Sequence, residues 1–157
     1  MIKSRHRARE LALQELYSEG VQNSVTPLSF SRTKSLDDMF LFLTEKERAE
    51  LDPSLLTYAA FIVNYVESNI DDINAKILAY SRGRTLERIA PVDLAILRLS
   101  IATLLFDKET HPSIVIDEAV KLSSVYSNDI NFKFINGVLD SFVKENIKSK
   151  GCKNDNH

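Results

Sequence analysis

The chain has 157 residues, of which 44% are apolar and 27% are charged. This composition excludes disordered and fibrous classes and suits one globular domain, or two tightly packed subdomains, with a sizeable core. Only four glycines and four prolines are present, too few for a turn-dense β-sandwich or barrel. We therefore expect an all-α fold.

The single cysteine, Cys152, excludes an internal disulfide framework and a cysteine-based zinc site. A reducing, cytoplasmic location is therefore expected. No apolar run approaches the roughly 18 residues of a membrane span. The segment after the first basic residues carries three carboxylates, which a signal peptide would lack. No contact with a membrane is predicted.

Charge is unevenly distributed along the chain. The net charge is -2, yet residues 1–10 carry +3, residues 144–157 carry +2, and residues 11–143 carry -7. The small total therefore conceals an acidic body with two basic ends.

Apolar residues recur at helical spacing over most of the chain, and no run shows the alternation of a strand. The pattern predicts about seven helices. The first runs from about Ser4 to Glu19, with Gly20 placed to stop it. Residues 21–35 have the composition of a long loop, and a short helix is predicted at 36–42.

Proline marks the start of several further helices. Asp52 can cap a helix while Pro53 occupies its first position, and another helix is predicted to open at Asp71 or Asp72. The pattern breaks at residues 81–84. We therefore expect an N-terminal helical subdomain at 1–81, a C-terminal one at 82–149 around a central helix at 91–107, and a polar tail at 150–157.

The central helix begins at Pro91 and is apolar around nearly its full circumference, which predicts burial. Asp93, Ser100 and Thr103 form one narrow polar stripe on it. Another helix starts at Pro112, and a last helix follows residues 127–129. Within that last helix, Gly137 suggests close approach of another backbone, because mid-helix glycine is unfavourable by about 1 kcal/mol relative to alanine.

No catalytic constellation is found in the sequence. His6, His111 and His157 lack metal-ligand spacing to one another, and no glycine-rich phosphate loop is present. The expectation is a protein that is not an enzyme, with no catalytic residue, metal site or cofactor.

The basic segment at residues 3–10 is the strongest local signal, because it continues directly into an amphipathic helix. Arg5 and Arg9 are four residues apart and are predicted to share one edge of the helix, while Lys3, His6 and Arg7 widen the cationic surface. Guanidinium groups grip phosphates and stack on bases, which suits single-stranded RNA. The alternative is a solvated charge run at the positive end of a helix dipole.

Lys133 and Phe134 form a second basic and aromatic pair, able to contact a phosphate and a base. Alternatively, Phe134 belongs to the core with Val138 and Phe142. Asp93 has two interpretations as well, either a carboxylate that favours the helix N-terminus or an acid that faces a partner. Arg98 is interpreted as structural.

Three segments together resemble the family of the bacterial transcription antitermination factor NusB. The sequence RHRARELALQELY at residues 5–17 looks like its arginine-rich first helix, and IAPVDLAILR at 89–98 resembles the start of its central helix. IDEAVKL at 116–122 and KFINGVLD at 133–140 resemble its last two helices. The resemblance spans nearly the whole chain, apart from residues 21–52, which match poorly.

This resemblance implies a non-enzymatic fold of two small helical bundles. It implies binding of boxA RNA as a heterodimer with NusE, a ribosomal protein of the small subunit, and through that complex an indirect association with the RNA polymerase elongation complex. The resemblance predicts the following residue roles. RNA is contacted by Lys3, Arg5, His6, Arg7, Arg9, Lys133 and Phe134, and NusE is contacted by Tyr17, Glu87 and Asp93. A homodimer is a further possibility.

Departures from the family pattern leave alternatives open. His6 stands where arginine is usual, and Ile130 and Phe132 occupy positions before Lys133 that are commonly polar. One alternative is a helical protein adaptor without sequence-specific RNA binding. Another is a stand-alone relative of the N-terminal domain of ribosomal RNA cytosine methyltransferases, although the chain is expected to be complete without their catalytic domain.

Overall fold

A computed structural model describes residues 4–22, 34–127 and 131–147. Seven α-helices occur in these ranges, and the predicted all-α fold is confirmed. They are α1 (Arg5–Gln22), α2 (Glu45–Ala49), α3 (Pro53–Ser68), α4 (Ile70–Ala79), α5 (Pro91–Phe106), α6 (Pro112–Tyr126) and α7 (Phe132–Asn146), with 3-10 turns at Leu36–Asp38 and Leu86–Arg88. Over the same described ranges, no helix is long and apolar enough to cross a membrane.

The three predicted proline starts are confirmed, because α3, α5 and α6 each carry proline at their first position. Asp52 caps α3 as expected, its carboxylate accepting a hydrogen bond from the backbone N–H of Ser54 at 2.8 Å. The predicted start at Asp71 or Asp72 falls in the first turn of α4. Local side-chain chemistry thus locates these helix starts.

Two predicted boundaries are wrong. The first helix continues past Gly20 to Gln22, since glycine inside a helix is merely unfavourable and does not end it. The helix predicted at 36–42 is replaced by the 3-10 turn and by α2 further on. Thr44 starts α2 through a capping box with Glu47, and hydrogen bonding to Thr44 lowers the pKa of that glutamate.

Contacts divide the chain into an N-terminal unit, Met1–Ile70, and a C-terminal unit, Asp71–His157. The division precedes the boundary predicted at residue 81, so most of α4 joins the C-terminal unit. One physical reason is the contact of α4 with α5, in which Arg98 Nε donates to Asn74 Oδ1 at 3.0 Å. Burial lowers the pKa of Arg98 to about 10, so its guanidinium stays protonated at neutral pH.

In the N-terminal unit, α1 packs against α3. Glu15 of α1 is buried, and its Oε1 accepts a hydrogen bond from the backbone N–H of Phe40 at 3.0 Å. Phe40 has a positive φ of 59°, an unusual conformation for a bulky residue, and Arg48 donates to its carbonyl at 3.4 Å. The buried carboxylate and the guanidinium thus hold this turn against α1.

In the C-terminal unit, α5, α6 and α7 pack against one another. The polar stripe predicted on the central helix is buried as expected, with Asp93, Ser100 and Thr103 all inside. The predicted close approach at Gly137 is wrong, because that residue is exposed and, apart from its chain neighbours and the backbone of α7 itself, no described atom lies within 4 Å of the position its Cβ would take. Gly137 lies one turn after Lys133, on the outward face of α7.

Candidate nucleic-acid interface

The first turn of α1 begins with a serine cap, in which Ser4 Oγ accepts a hydrogen bond from the backbone N–H of His6 at 3.1 Å. This turn contains no acidic residue, although a helix N-terminus favours negative charge. Three cationic or titratable side chains follow the cap directly: Arg5, His6 and Arg7. Positive side chains thus lie at the end of the helix that itself carries a partial positive charge. This combination favours the binding of an external anion.

Arg5 is exposed and lies on an aromatic ring. Its Cζ is 3.9 Å from the centroid of the Tyr58 ring of α3, within the distance of a cation–π interaction. The packing of α1 against α3 therefore orients this guanidinium at an exposed position of the first turn of α1.

His6 and Arg7 both approach Glu10, one turn further along the helix. His6 Nε2 lies 3.7 Å from Glu10 Oε2, and Arg7 Nη1 lies 3.4 Å from Glu10 Oε1. The carboxylate partly neutralises the charge of the surface that these residues form. Intrahelical pairs between half-buried side chains at the surface are weak, so an incoming phosphate can compete for the same cations.

Arg9 is placed differently from the prediction. Its side chain does not share an exposed edge with Arg5, because only 4% of Arg9 is accessible. Arg9 lies one turn deeper along α1, next to the buried residue Ala8. Its Nε is buried and has no hydrogen-bond partner among the described residues, so the fold leaves a buried cationic group incompletely satisfied.

Lys133 and Phe134 lie in the first turn of α7. Lys133 is exposed, and Phe134 is half-buried. Phe134 is therefore neither fully part of the core nor fully accessible to a base. Phe132 is exposed as well and belongs to the helix, not to the preceding loop. Lys3 and Ile130 lie outside the described residues.

Arg84 was missed by the sequence analysis, which treated residues 81–84 only as a boundary. Its Cζ lies 4.1 Å from the centroid of the Phe134 ring, and the residue is exposed. The available signal was the pair Arg82 and Arg84 around a glycine, which combines two cations with a tight turn. The structure thus places the guanidinium of Arg84 on the ring of Phe134, in the first turn of α7.

Three residues were predicted to face a protein partner. Tyr17 is 41% exposed, and Glu87 is exposed in the 3-10 turn Leu86–Arg88. Asp93 is only 3% exposed, and its Oδ1 accepts a hydrogen bond from Ser127 Oγ at 2.6 Å. The carboxylate of Asp93 therefore anchors the end of α6 to the start of α5, which agrees with its interpretation as a helix-start carboxylate.

The described ranges, with gaps at 1–3, 23–33, 128–130 and 148–157, contain no group of three or more His, Cys, Asp or Glu side chains that could hold a metal ion. Fold and side chains thus define an all-helical protein in which two basic surfaces each place an arginine on an aromatic ring. We name them the N-terminal surface, formed by Arg5, His6 and Arg7 with the buried Arg9 one turn further along α1, and the C-terminal surface, formed by Arg84, Lys133 and Phe134.

The model of the NusB family matches residues 6–144, and the chain belongs to that family. The transcription antitermination protein NusB of Treponema denticola is 36% identical over 141 residues, which cover 90% of this chain and 96% of the relative. A solved structure of T. maritima NusB is similar with a TM-score of 0.77 and 25% identity, covering 92% of this chain and 94% of that chain.

A crystal structure of the antitermination factors NusB and NusE in complex with dsRNA also contains a similar chain. The TM-score is 0.71 and the identity is 26%, with coverage of 91% of this chain and 99% of that chain. The family resemblance stated from the sequence motifs is thereby confirmed.

Proposed function

We propose that this protein is a cytoplasmic, non-enzymatic transcription antitermination factor that binds boxA RNA together with NusE. It would support ribosomal RNA transcription and assembly, and it would reach the RNA polymerase elongation complex through that assembly. The observation that carries the proposal is the similarity, over nearly the whole chain, to a NusB chain crystallised with NusE and dsRNA.

The N-terminal surface supports the RNA part of the proposal. The guanidinium of Arg5 is oriented by Tyr58, and Arg7 adds a cation that lies 3.4 Å from the carboxylate of Glu10. Arginine binds phosphates through a planar fork of donors and stacks on bases. The buried guanidinium of Arg9 adds a positive field at the same end of α1, and a phosphate would lower its free energy.

The C-terminal surface supplies the second RNA contact of the proposal. Lys133 is exposed at the start of α7, where the helix dipole also favours an anion. Phe134 offers an aromatic edge beside it, in the combination that single-stranded nucleic acid favours.

Exposed Tyr17 and Glu87 are the direct NusE contacts that we propose. Asp93 would act indirectly by holding α6 against α5. The acidic body of the chain, with a net charge of -7 over residues 11–143, would complement a basic ribosomal protein.

Fluorescence anisotropy with a labelled boxA-type RNA tests the proposal, using a scrambled RNA of equal length as the reference. We expect tighter, sequence-dependent binding when NusE is present. The matched variants are Glu87→Ala, expected to lose NusE binding, and Glu145→Ala, which removes an exposed acid from the end of α7 and is expected to bind normally. If both RNAs bind equally well with and without NusE while NusE still binds, the protein-adaptor alternative replaces this function.

A further inference from the structure

We propose that Arg84 is a base-stacking residue of the C-terminal surface, where its guanidinium, supported by the ring of Phe134, receives a nucleobase while Lys133 holds the adjoining phosphate. This inference rests on the proposed RNA function and assigns a role to a residue that the sequence motifs did not include.

The Cζ of Arg84 lies 4.1 Å from the centroid of the Phe134 ring, so the guanidinium is in contact with the aromatic ring. Arg84 is nevertheless exposed. A guanidinium that touches a ring on one side can receive a base on the other, which produces a stack of ring, guanidinium and base.

The backbone that carries Arg84 forms a closed turn. Ser81 is buried, and its hydroxyl donates to the carbonyl of Ile77 at the end of α4. The backbone N–H of Arg84 donates to the carbonyl of Ser81 at 3.1 Å, which closes the turn. Between them, Arg82 and Gly83 have positive φ angles of 55° and 81°. Such a conformation is strained for arginine, and strained backbone clusters at functional sites.

A closed turn that presents Arg84 in advance reduces the entropy lost when a ligand binds. The turn therefore does more than connect α4 to the 3-10 turn Leu86–Arg88. It holds the arginine on Phe134 before any ligand arrives.

Neither Arg84 nor Lys133 forms an ion pair with a residue in the described part of the chain. In contrast, Lys144 on the same α7 is paired with Asp140 at 3.1 Å. The two cations near the start of α7 are thus available to an anion that comes from outside the protein.

An acidic protein would supply an anion too, but it would leave the stacking geometry unused. A carboxylate binds a guanidinium through its edge, whereas a base uses its flat face. The position of Arg84 on an aromatic ring therefore favours nucleic acid.

The test compares the full-length wild-type protein with Arg84→Lys, which keeps the charge and loses the planar group, and with Arg84→Ala. Lys144→Ala is the matched control, because it removes one charge from an exposed position of α7. The probes are a boxA-type RNA, a scrambled RNA, and a series of boxA-type RNAs that each lack one base. Circular dichroism and the melting temperature establish that every variant is folded.

We expect Arg84→Lys to weaken binding of intact RNA by about fivefold or more, as expected for the loss of one stacked base. The slope of log affinity against log salt should stay unchanged in Arg84→Lys. In Arg84→Ala it should fall by less than the value of about 0.7 for a lost phosphate contact, because Lys133 keeps that phosphate. One RNA in the series that lacks a base should bind wild type and Arg84→Lys equally, which identifies the stacked base. Lys144→Ala should bind like wild type.

Wild-type affinity of Arg84→Lys for every RNA, or an equal loss on every RNA of the series, would overturn the stacking role. Binding of a polyglutamate peptide as tightly as RNA of equal charge would assign the surface to an acidic protein and would also overturn it. If wild type binds boxA-type and scrambled RNA alike, the antitermination proposal fails. A weakening of both RNAs by Arg84→Lys would then still support the stacking role, since stacking tolerates sequence changes.

Discussion

The N-terminal and C-terminal surfaces use the same device in different electrostatic surroundings. Arg5 lies 3.9 Å from the centroid of the Tyr58 ring, and Arg84 lies 4.1 Å from the centroid of the Phe134 ring. Next to Arg5, Glu10 approaches both His6 and Arg7. Near Arg84, Lys133 has no ion pair with any residue that the structure describes.

Orientation of the guanidinium and local net charge differ independently between the two surfaces. In both units an aromatic ring orients the guanidinium, but among the described residues a carboxylate approaches the cations at the N-terminal surface alone. A bound RNA would therefore compete with Glu10 at that surface and with no described carboxylate at the other. Variants that alter one surface at a time can therefore measure the two contributions separately.

The largest expected effect is a loss of stability in the C-terminal unit, caused by the substitution Asp93→Ala. In Asp93→Ala, Ser127 loses its acceptor and the first turn of α5 loses its only acid. We expect the free energy of unfolding to fall by about 2 kcal/mol, measured by urea denaturation. The control, Glu87→Ala, changes an exposed acid and should stay within about 0.5 kcal/mol of wild type. Unchanged stability in Asp93→Ala would contradict its anchoring role.

Arg9→Met tests whether the buried charge of Arg9 lowers the free energy of unfolding and, at the same time, raises the affinity for RNA. Methionine fills a similar space without a buried cation, so the free energy of unfolding should rise by about 1 kcal/mol, while affinity for boxA-type RNA falls. Thermal denaturation and anisotropy measure the two effects. Arg7→Met, at a half-exposed position, should leave stability within about 0.5 kcal/mol. A clear loss of stability in Arg9→Met would show that the fold itself needs the guanidinium.

Arg5→Ala removes the oriented guanidinium of the N-terminal surface. We expect RNA affinity to fall by about fivefold and the salt slope to fall by about 0.7, because one phosphate contact is lost. NusE binding should survive. Lys46→Ala, which removes an exposed cation from α2 of the same unit, serves as the control for net charge. Equal effects of the two substitutions would assign Arg5 to general electrostatics only.

Glu10→Gln makes the two surfaces more alike and has the smallest expected effect. Without the charge of the carboxylate, the local positive potential around Arg7 and His6 increases, so RNA affinity should rise by about twofold at low salt. The gain should vanish at high salt in the same anisotropy titration. Asp72→Asn, which removes an exposed acid paired with Lys76, should produce no gain. An affinity below wild type in Glu10→Gln would mean that Glu10 positions the cations for RNA.

Local sequence chemistry predicted much of the fold. The helices that start at Pro53, Pro91 and Pro112 were placed correctly, because a proline at the first helical position loses no helical hydrogen bond. The burial of α5 followed from its apolar circumference. At Gly20 the prediction was wrong, because glycine disfavours a helix but does not by itself end one.

The candidate sites were only partly predictable. Arg5 and Lys133 were identified from basic patterns, and both are exposed. Arg84 was not identified, because its meaning depends on Phe134, fifty residues later in the chain. Periodicity alone could not show which of Arg5 and Arg9 would be covered by the rest of the unit.

The sequence by itself determined the all-helical class, the main helix starts, the buried stripe on α5 and the family. These properties depend on residues close together in the chain. Within one helix, the spacing of two residues in the sequence fixes their relative positions in space. The tertiary structure decided that Arg9 and Asp93 are buried and that Arg84 rests on Phe134. The outcomes for Asp93 and Arg84 depend on a neighbour from a distant segment, as in the hydrogen bond that joins Ser127 to Asp93 across 34 positions, and only packing brings such residues together.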